Sequence, residues 1–207
     1  MRVSTKVIGM AGDLTGIFND QVARLLAAGL ASNDELAPLL PLLELIDQVE
    51  MSEGRIPFLI VAQNTMTLAE RMAKIELDGR RGVSNINGGQ VVNFEDTPQG
   101  NYLALDVEDG TAELGVQPST SETGWRTRRL GATALEGIML ATYAPGVLLG
   151  HGIMLPGSSL CADYVPALDR TDEGGPKLTA WWRHNTCPPN YGSMSCGRRL
   201  GLNDLKP

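Results

Sequence analysis

Early in the chain apolar residues recur at helical spacing: Leu14, Phe18, Val22, Leu25 and Leu26 fall on one stripe, with Gly29 placed to end the segment. Ser32 and Glu35 announce a second helix through the S-x-x-E arrangement, in which each side chain satisfies the other residue's exposed backbone amide. Pro38 and Pro41 interrupt it, because a proline past the first turn removes a helical hydrogen bond and collides with the turn before it. The surviving helix is expected to start near one of these prolines and to run to about Gln48.

After Arg55 the pattern changes. Ile56 to Ala62, "IPFLIVA", is a continuous apolar run rich in β-formers, which predicts a strand covered on both faces. Thr67 and Glu70 open a short helix in "TLAERMAKI", and "VSNI" and "QVVNF" are short strand candidates in a passage punctuated by glycine. Asn101 to Val107, "NYLALDV", predicts a strand, "EDG" a turn, and "TAELGV" a hairpin partner. Gln117 to Gly131 is polar and has no period, so it reads as a long loop. Thr133 with Glu136 opens a helix, Leu135 to Tyr143, that "APG" stops.

Beyond Pro145 the phrases "VLLGHGIML", "YVPAL", "KLTAWWR" and "YGSMSC" read as short strands parted by turn residues. The expected class is α+β: N-terminal helices, then a mixed, mainly antiparallel β-sheet with a C-terminal β-meander. Residues 1–50 form a helical segment in this reading, 51–200 the core domain and 201–207 a tail. Trp181 to Gly201 becomes a hairpin whose turn Pro188 and Pro189 shape.

Composition narrows the function classes. With 207 residues, 43% hydrophobic and 20% charged, the chain suits a globular protein whose core needs no disulfides. A net charge of −7 opposes a polyphosphate partner, so no nucleic acid is expected. The most apolar run, Leu36 to Ile46, is too short for a bilayer and carries Pro38, Pro41 and Glu44, so no membrane partner is expected either. The start, "MRVSTKVIGMAGDLTG", is a poor signal peptide, and three cysteines point to free thiols in a reducing cytoplasm. A homodimer stays open.

Taken in order, "GRIPFLIV", "YLALDVEDG", "TALEG", "YVPAL" and "GSMSCG" resemble a bacterial domain family of unknown function. Its members carry a buried strand, a Y-L-x-x-D-V strand, a helix and a late sheet containing Trp and Cys. The resemblance covers roughly Arg55 to Gly197 and implies no activity. "RHNTCPP" departs from it, so any role of His184 or Cys187 is peculiar to this chain.

Several chemistries have candidate residues. Gly9, Gly12 and Gly16 hint at a dinucleotide loop, but no second strand follows until Ile56, so no nucleotide cofactor is expected. His184 and Cys187 in H-x-x-C spacing, with Cys196 and, in preceding strands, His151 and Cys161, are just enough donors for zinc. Cys196 in "GSMSCG" is a reserve nucleophile, although strand alternation puts it with Met194 on the core face. A Cys187–Cys196 disulfide fits a hairpin but has little use in a reducing compartment. Asp106, flanked by apolar residues, is a substrate-binding candidate: it is either paired, with one of the arginines as the favoured partner, or carries a raised pKa that would suit a general base. Arg126, Arg128 and Arg129 cluster beside Trp125, as a solvated face or as the holder of a ligand's anionic group.

These residues lead to one expectation: a small-molecule-binding protein, acting as a cofactor-independent enzyme on a small, ring-containing substrate by acid–base and shape effects. His151, His184 and Tyr191 would handle protons, Trp181 and Trp182 would stack, and Arg183 would hold an anionic substituent, all around one hollow in the late sheet. The alternatives are a non-catalytic interaction domain, using Gln117 to Gly131 and the Leu-rich helices, and a zinc protein using His184, Cys187 and Cys196.

Overall fold

In the computed structural model, which describes residues 13–46, 51–125 and 128–206, the first apolar stripe forms helix α1 (Leu14–Ala27). Asp13 caps it by accepting from the Gly16 amide, and Gly29 ends it in the left-handed region at φ 63°. The glycine loop expected before it lies mostly outside the described residues. Ser32 and Glu35 form the expected capping box on α2 (Asn33–Leu36). The two prolines do not end the helical path. They tighten it into a 3₁₀ stretch, Ala37–Leu42, before α3 (Leu43–Ile46). Gln48, the expected helix end, lies outside the described residues.

The elements that follow are β1 (Ile56–Val61), α4 (Leu68–Met72), β2 (Glu76–Leu77), β3 (Arg80–Arg81), β4 (Val83–Ser84), β5 (Val91–Asn93) and β6 (Tyr102–Val107). Next come α5 (Pro118–Trp125), β7 (Leu130–Gly131), α6 (Ala134–Tyr143), β8 (Gly152–Met154), β9 (Ser158–Leu160), β10 (Tyr164–Arg170) and β11 (Pro176–Trp182). The chain closes with β12 (Tyr191–Ser193), β13 (Ser195–Cys196) and β14 (Arg198–Gly201). Helices lead, sheets follow, and most strand pairs are antiparallel, which makes the class α+β. No helix among the described residues is long and apolar enough to cross a membrane.

Two sheets carry the architecture. In the smaller, β6 runs between β1 and β14, antiparallel to both, and all of its residues are buried. The larger has the order β12-β8-β10-β11-β4, with β9 and β5 attached beside β10. Three expectations change here. "TAELGV" does not pair with β6, because β1 and β14 already occupy both of its edges, and Thr111–Glu113 forms a 3₁₀ turn instead. The stretch after Gln117 is not all loop: it contains α5, whose sequence carries no apolar stripe and is held by distant partners described below. Trp181 to Gly201 is not a hairpin, since β10 and β8 separate β11 from β12, and β12 lies parallel to β8 with Tyr191 opposite Gly152.

α6 is the centre of the packing. It buries Ile138, Met139, Leu140 and Ala141, and one apolar cluster joins it to Phe18 and Leu25 of α1, Phe58 and Ile60 of β1 and Leu168 of β10. Gln21 is buried with both ends of its side-chain amide paired: it donates to Phe58 O at 2.8 Å and accepts from Ile60 N at 2.7 Å. The amide thus pairs with the middle of the outer edge of β1 as a further strand would.

Inside this apolar shell lies one fully enclosed ion pair. Glu136 meets Arg199 through two bonds, Nε–Oε1 at 2.7 Å and Nη2–Oε2 at 2.9 Å, while Tyr102 donates to Oε1 and the Thr133 amide to Oε2. Burial works against the charge on Arg199, but the hydrogen bonds and charge of Glu136 outweigh it and raise its pKa. The pair ties α6 to β6 and β14.

Elsewhere backbones cross with no room for a side chain. A Cβ on Gly192 would overlap the carbonyl of Gly110, and one on Gly157 would overlap that of Gly131. Gly192→Ala should therefore cost about 3 kcal/mol in denaturant unfolding, the scale of an overpacked core. Gly146→Ala, which meets open space, should stay within about 0.5 kcal/mol of the parent. Glu136→Gln strands the Arg199 guanidinium without a counter-charge and should lower stability by about 3–5 kcal/mol in the same measurement.

Candidate functional site

Near the end of β6 the backbone enters an uncommon conformation. Asp106 has φ 50°, in the left-handed region that costs a non-glycine residue about 1–3 kcal/mol and persists only where surroundings hold it. Arg129 is the main restraint: Nη1 meets Asp106 Oδ2 at 2.6 Å and Nη2 donates to the Asp106 carbonyl. The Ser52 amide donates to Oδ1 at 2.9 Å, and Gly197 leaves space for the Asp106 side chain. Asp106 is thus paired with an arginine, as its apolar flanks require.

The turn delivers Glu108 to the edge of a cleft. Its backbone pairs with Ser195 on both sides, Glu108 N to Ser195 O at 2.8 Å and Ser195 N to Glu108 O at 3.1 Å. The carboxylate, nearly buried, accepts from Gly110 N at 3.0 Å and Ala112 N at 2.8 Å, and Arg55 Nη1 stands 3.1 Å from it. His151 supports this turn from beneath through Nε2 and Asp109 O, 2.9 Å apart; a carbonyl only accepts, so Nε2 carries the proton.

α5 closes the other side. Pro118 opens it at a position where no amide is needed, and Trp125 is its last described residue. Glu113 fastens it to the turn, accepting from Ser121 Oγ at 2.8 Å and from the Trp125 indole N–H at 3.3 Å. Arg183 fastens it to the large sheet by pairing with Glu122, donating to the carbonyls of Pro156 and Ser158, and lying 4.9 Å over the Phe94 ring.

Between these elements is a cleft of about 220 Å³ walled by Arg55, Glu108, Glu113, Trp125, Arg128 and Arg129. Burial, and then the nearby charge of Arg129, hold the Arg55 guanidinium below its usual pKa. Each of the three nitrogens of Arg129 is engaged: Nε with Ser195 Oγ at 2.8 Å, the others with Asp106 and the Ser195 carbonyl. Arg128 is exposed and, like Glu113, forms no ion pair among the described residues.

The hollow expected in the late sheet does not assemble. Tyr191 stacks on Trp181, centroids 5.4 Å apart, and its hydroxyl donates to Asp169; burial and Asp169 both raise its pKa. Trp182 points to the opposite face, 49% exposed, against Tyr164. His184 lies exposed in the turn after β11, far in role from His151 beneath the Glu108 turn. Arg183 is buried and already holds Glu122. Cys196 is enclosed in the main core, where burial and then the charge of Glu136 push its thiol up to about 12. Cys187 packs in a separate small cluster with Tyr191, and all three thiols are free. Among the described residues no three His, Cys, Asp or Glu side chains converge as a metal site would need, so His184, Cys187 and Cys196 do not come together.

Of the residues singled out from sequence, Asp106 stands behind the cleft, and Trp125, Arg128 and Arg129 of the basic cluster line it. Arg126 lies outside the described residues. Arg55, Glu108, Glu113 and Ser195 were missed. A signal existed for one of them: Glu108 stands two positions after Asp106 at the close of an apolar strand, so two adjacent carboxylates needed cations nearby.

The chain belongs to the family of unknown function DUF5701, whose model matches residues 20–202 and so spans the second half of α1, both sheets and every cleft residue named above. No curated protein and no solved structure matches it.

The burial of the thiols has a direct readout. With an aromatic disulfide reagent at pH 8 the native protein should titrate one thiol, Cys161, which is exposed, and Cys187 and Cys196 should react only after unfolding. Rapid labelling of native Cys161→Ser protein would contradict this placement.

Proposed function

We propose that this chain binds a small organic molecule in the cleft between the Glu108 turn and α5, and that it acts on that molecule by acid–base chemistry through Glu113, without a nucleotide cofactor. What supports the reading is an asymmetry among the carboxylates. Asp106 and Glu108 are each committed to a guanidinium, whereas Glu113 faces the same cleft held only by a hydroxyl and an indole N–H. A carboxylate locked to a guanidinium is a poor base; one steadied by neutral donors is oriented and still able to take a proton. The indole that steadies it is itself mostly buried and adds an apolar edge to the cleft.

Arg55 and Arg128 complete the chemistry by offering positive potential where negative charge would develop on a bound molecule. Arg129, fully engaged with the backbone and Asp106, holds the walls in place. His151 acts one layer further out, through the turn it supports.

A thermal-shift screen of small organic compounds against the parent and Arg55→Ala proteins tests the reading. Compounds that raise the melting temperature of the parent by a few degrees should lose that effect in Arg55→Ala. Glu113→Gln should keep binding them, while conversion followed by NMR falls about 100-fold or more. Equal shifts in parent and Arg55→Ala would place the ligand elsewhere.

A further inference from the structure

Building on that cleft reading, we infer that its ligand is a planar organic monocarboxylate, gripped by the guanidinium groups of Arg55 and Arg128. Consecutive backbone amides in a tight turn commonly cradle phosphate. Here the amides of Gly110 and Ala112 already bind the Glu108 carboxylate, and that of Thr111 binds Asp109 Oδ1 at 3.0 Å. The protein's own side chains fill the anion nest, so a tetrahedral oxyanion finds no amides there. What remains for a ligand is guanidinium, whose planar fork matches two coplanar carboxylate oxygens.

Those forks are unequally free. Arg129 has every nitrogen engaged, Arg55 gives one nitrogen to Glu108, and Arg128 is unpaired among the described residues. Arg55 enters the cleft from just before β1 and Arg128 from just after α5, so a ligand held by both would also clamp the two walls together.

The charges lining the cleft favour a single negative charge on the ligand. Among the lining residues three guanidinium groups, Arg55, Arg128 and Arg129, face two carboxylates, Glu108 and Glu113, so a monocarboxylate brings the lining to balance and a phosphate dianion overshoots it by one charge beside Glu108 and Glu113. A cleft of about 220 Å³ with an indole at its edge suits a ligand of about one ring. It follows that Glu113→Gln, which removes one repelling charge, tightens the complex.

Calorimetric titration of the full chain with benzoate, phenylacetate and indole-3-acetate tests this, with phenyl phosphate and benzamide as comparisons. At least one carboxylate should bind about tenfold tighter than either comparison. Arg128→Ala and Arg55→Lys should each weaken it about tenfold, and Glu113→Gln should tighten it about three- to tenfold. Arg128 is exposed, so its variant reports even if Arg55 variants fold poorly. If phenyl phosphate or benzamide binds best and Arg128→Ala still weakens it, the cleft stands and the carboxylate assignment falls. If a carboxylate binds equally well to parent, Arg55→Lys and Arg128→Ala, the cleft reading falls with it. Absence of binding by all of these probes overturns the carboxylate assignment, while the compound screen above decides the cleft independently.

Discussion

The guanidinium of Arg129, spread across the carboxylate and carbonyl of Asp106 and the hydroxyl of Ser195, is the contact on which the rest of the site depends. It holds β6 in a left-handed departure that an aspartate would not adopt by itself, and so decides where the chain goes after the strand. Glu108 reaches the cleft edge, and Glu113 reaches α5, because of that departure. A charge-assisted fork can do this because it restrains two segments at once and grows stronger where water is scarce.

The final strand segment combines this site with the core. Ser195 contacts Arg129, Gly197 makes room for Asp106, and Arg199 meets Glu136, so alternate residues of one short stretch serve three polar partners. Cys196, between them, and Leu200, just after them, are buried in apolar surroundings. Buried ion pairs contribute little net stability, because desolvation offsets much of the attraction. The Glu136–Arg199 pair has a different consequence: a one-residue slip of β14 against β6 would leave both charges unmatched, so the pair selects register.

Crowding of chemically versatile residues in sequence turned out to be a poor guide to a shared site. Trp181, Trp182, Arg183, His184, Cys187 and Tyr191 are close along the chain, yet strand alternation and the parallel return of β12 send them to different surroundings. Trp181 and Tyr191 stack together, Trp182 faces away, and Arg183 is consumed in anchoring α5. The cleft draws instead on Arg55, the Glu108 and Glu113 turn, and Arg129, three separate parts of the chain.

Features whose partners lie within one turn or one strand were legible from sequence. The three capping boxes, Ser32–Glu35, Thr67–Glu70 and Thr133–Glu136, are present because both members stand three residues apart and need nothing else. The buried runs of β1 and β6, the α+β class and the need of Asp106 for a cation were legible on the same terms, since burial of a run or a charge carries its requirement with it. Tertiary structure alone decided which strands meet, that β14 takes the edge of β6 expected for "TAELGV", and that polar α5 is a helix held by Glu113 and Arg183. It also decided which of several arginines Asp106 receives. Periodicity records how a segment relates to its own neighbours in the chain, whereas these outcomes rest on close packing and charge matching between segments remote in sequence, which no local pattern encodes.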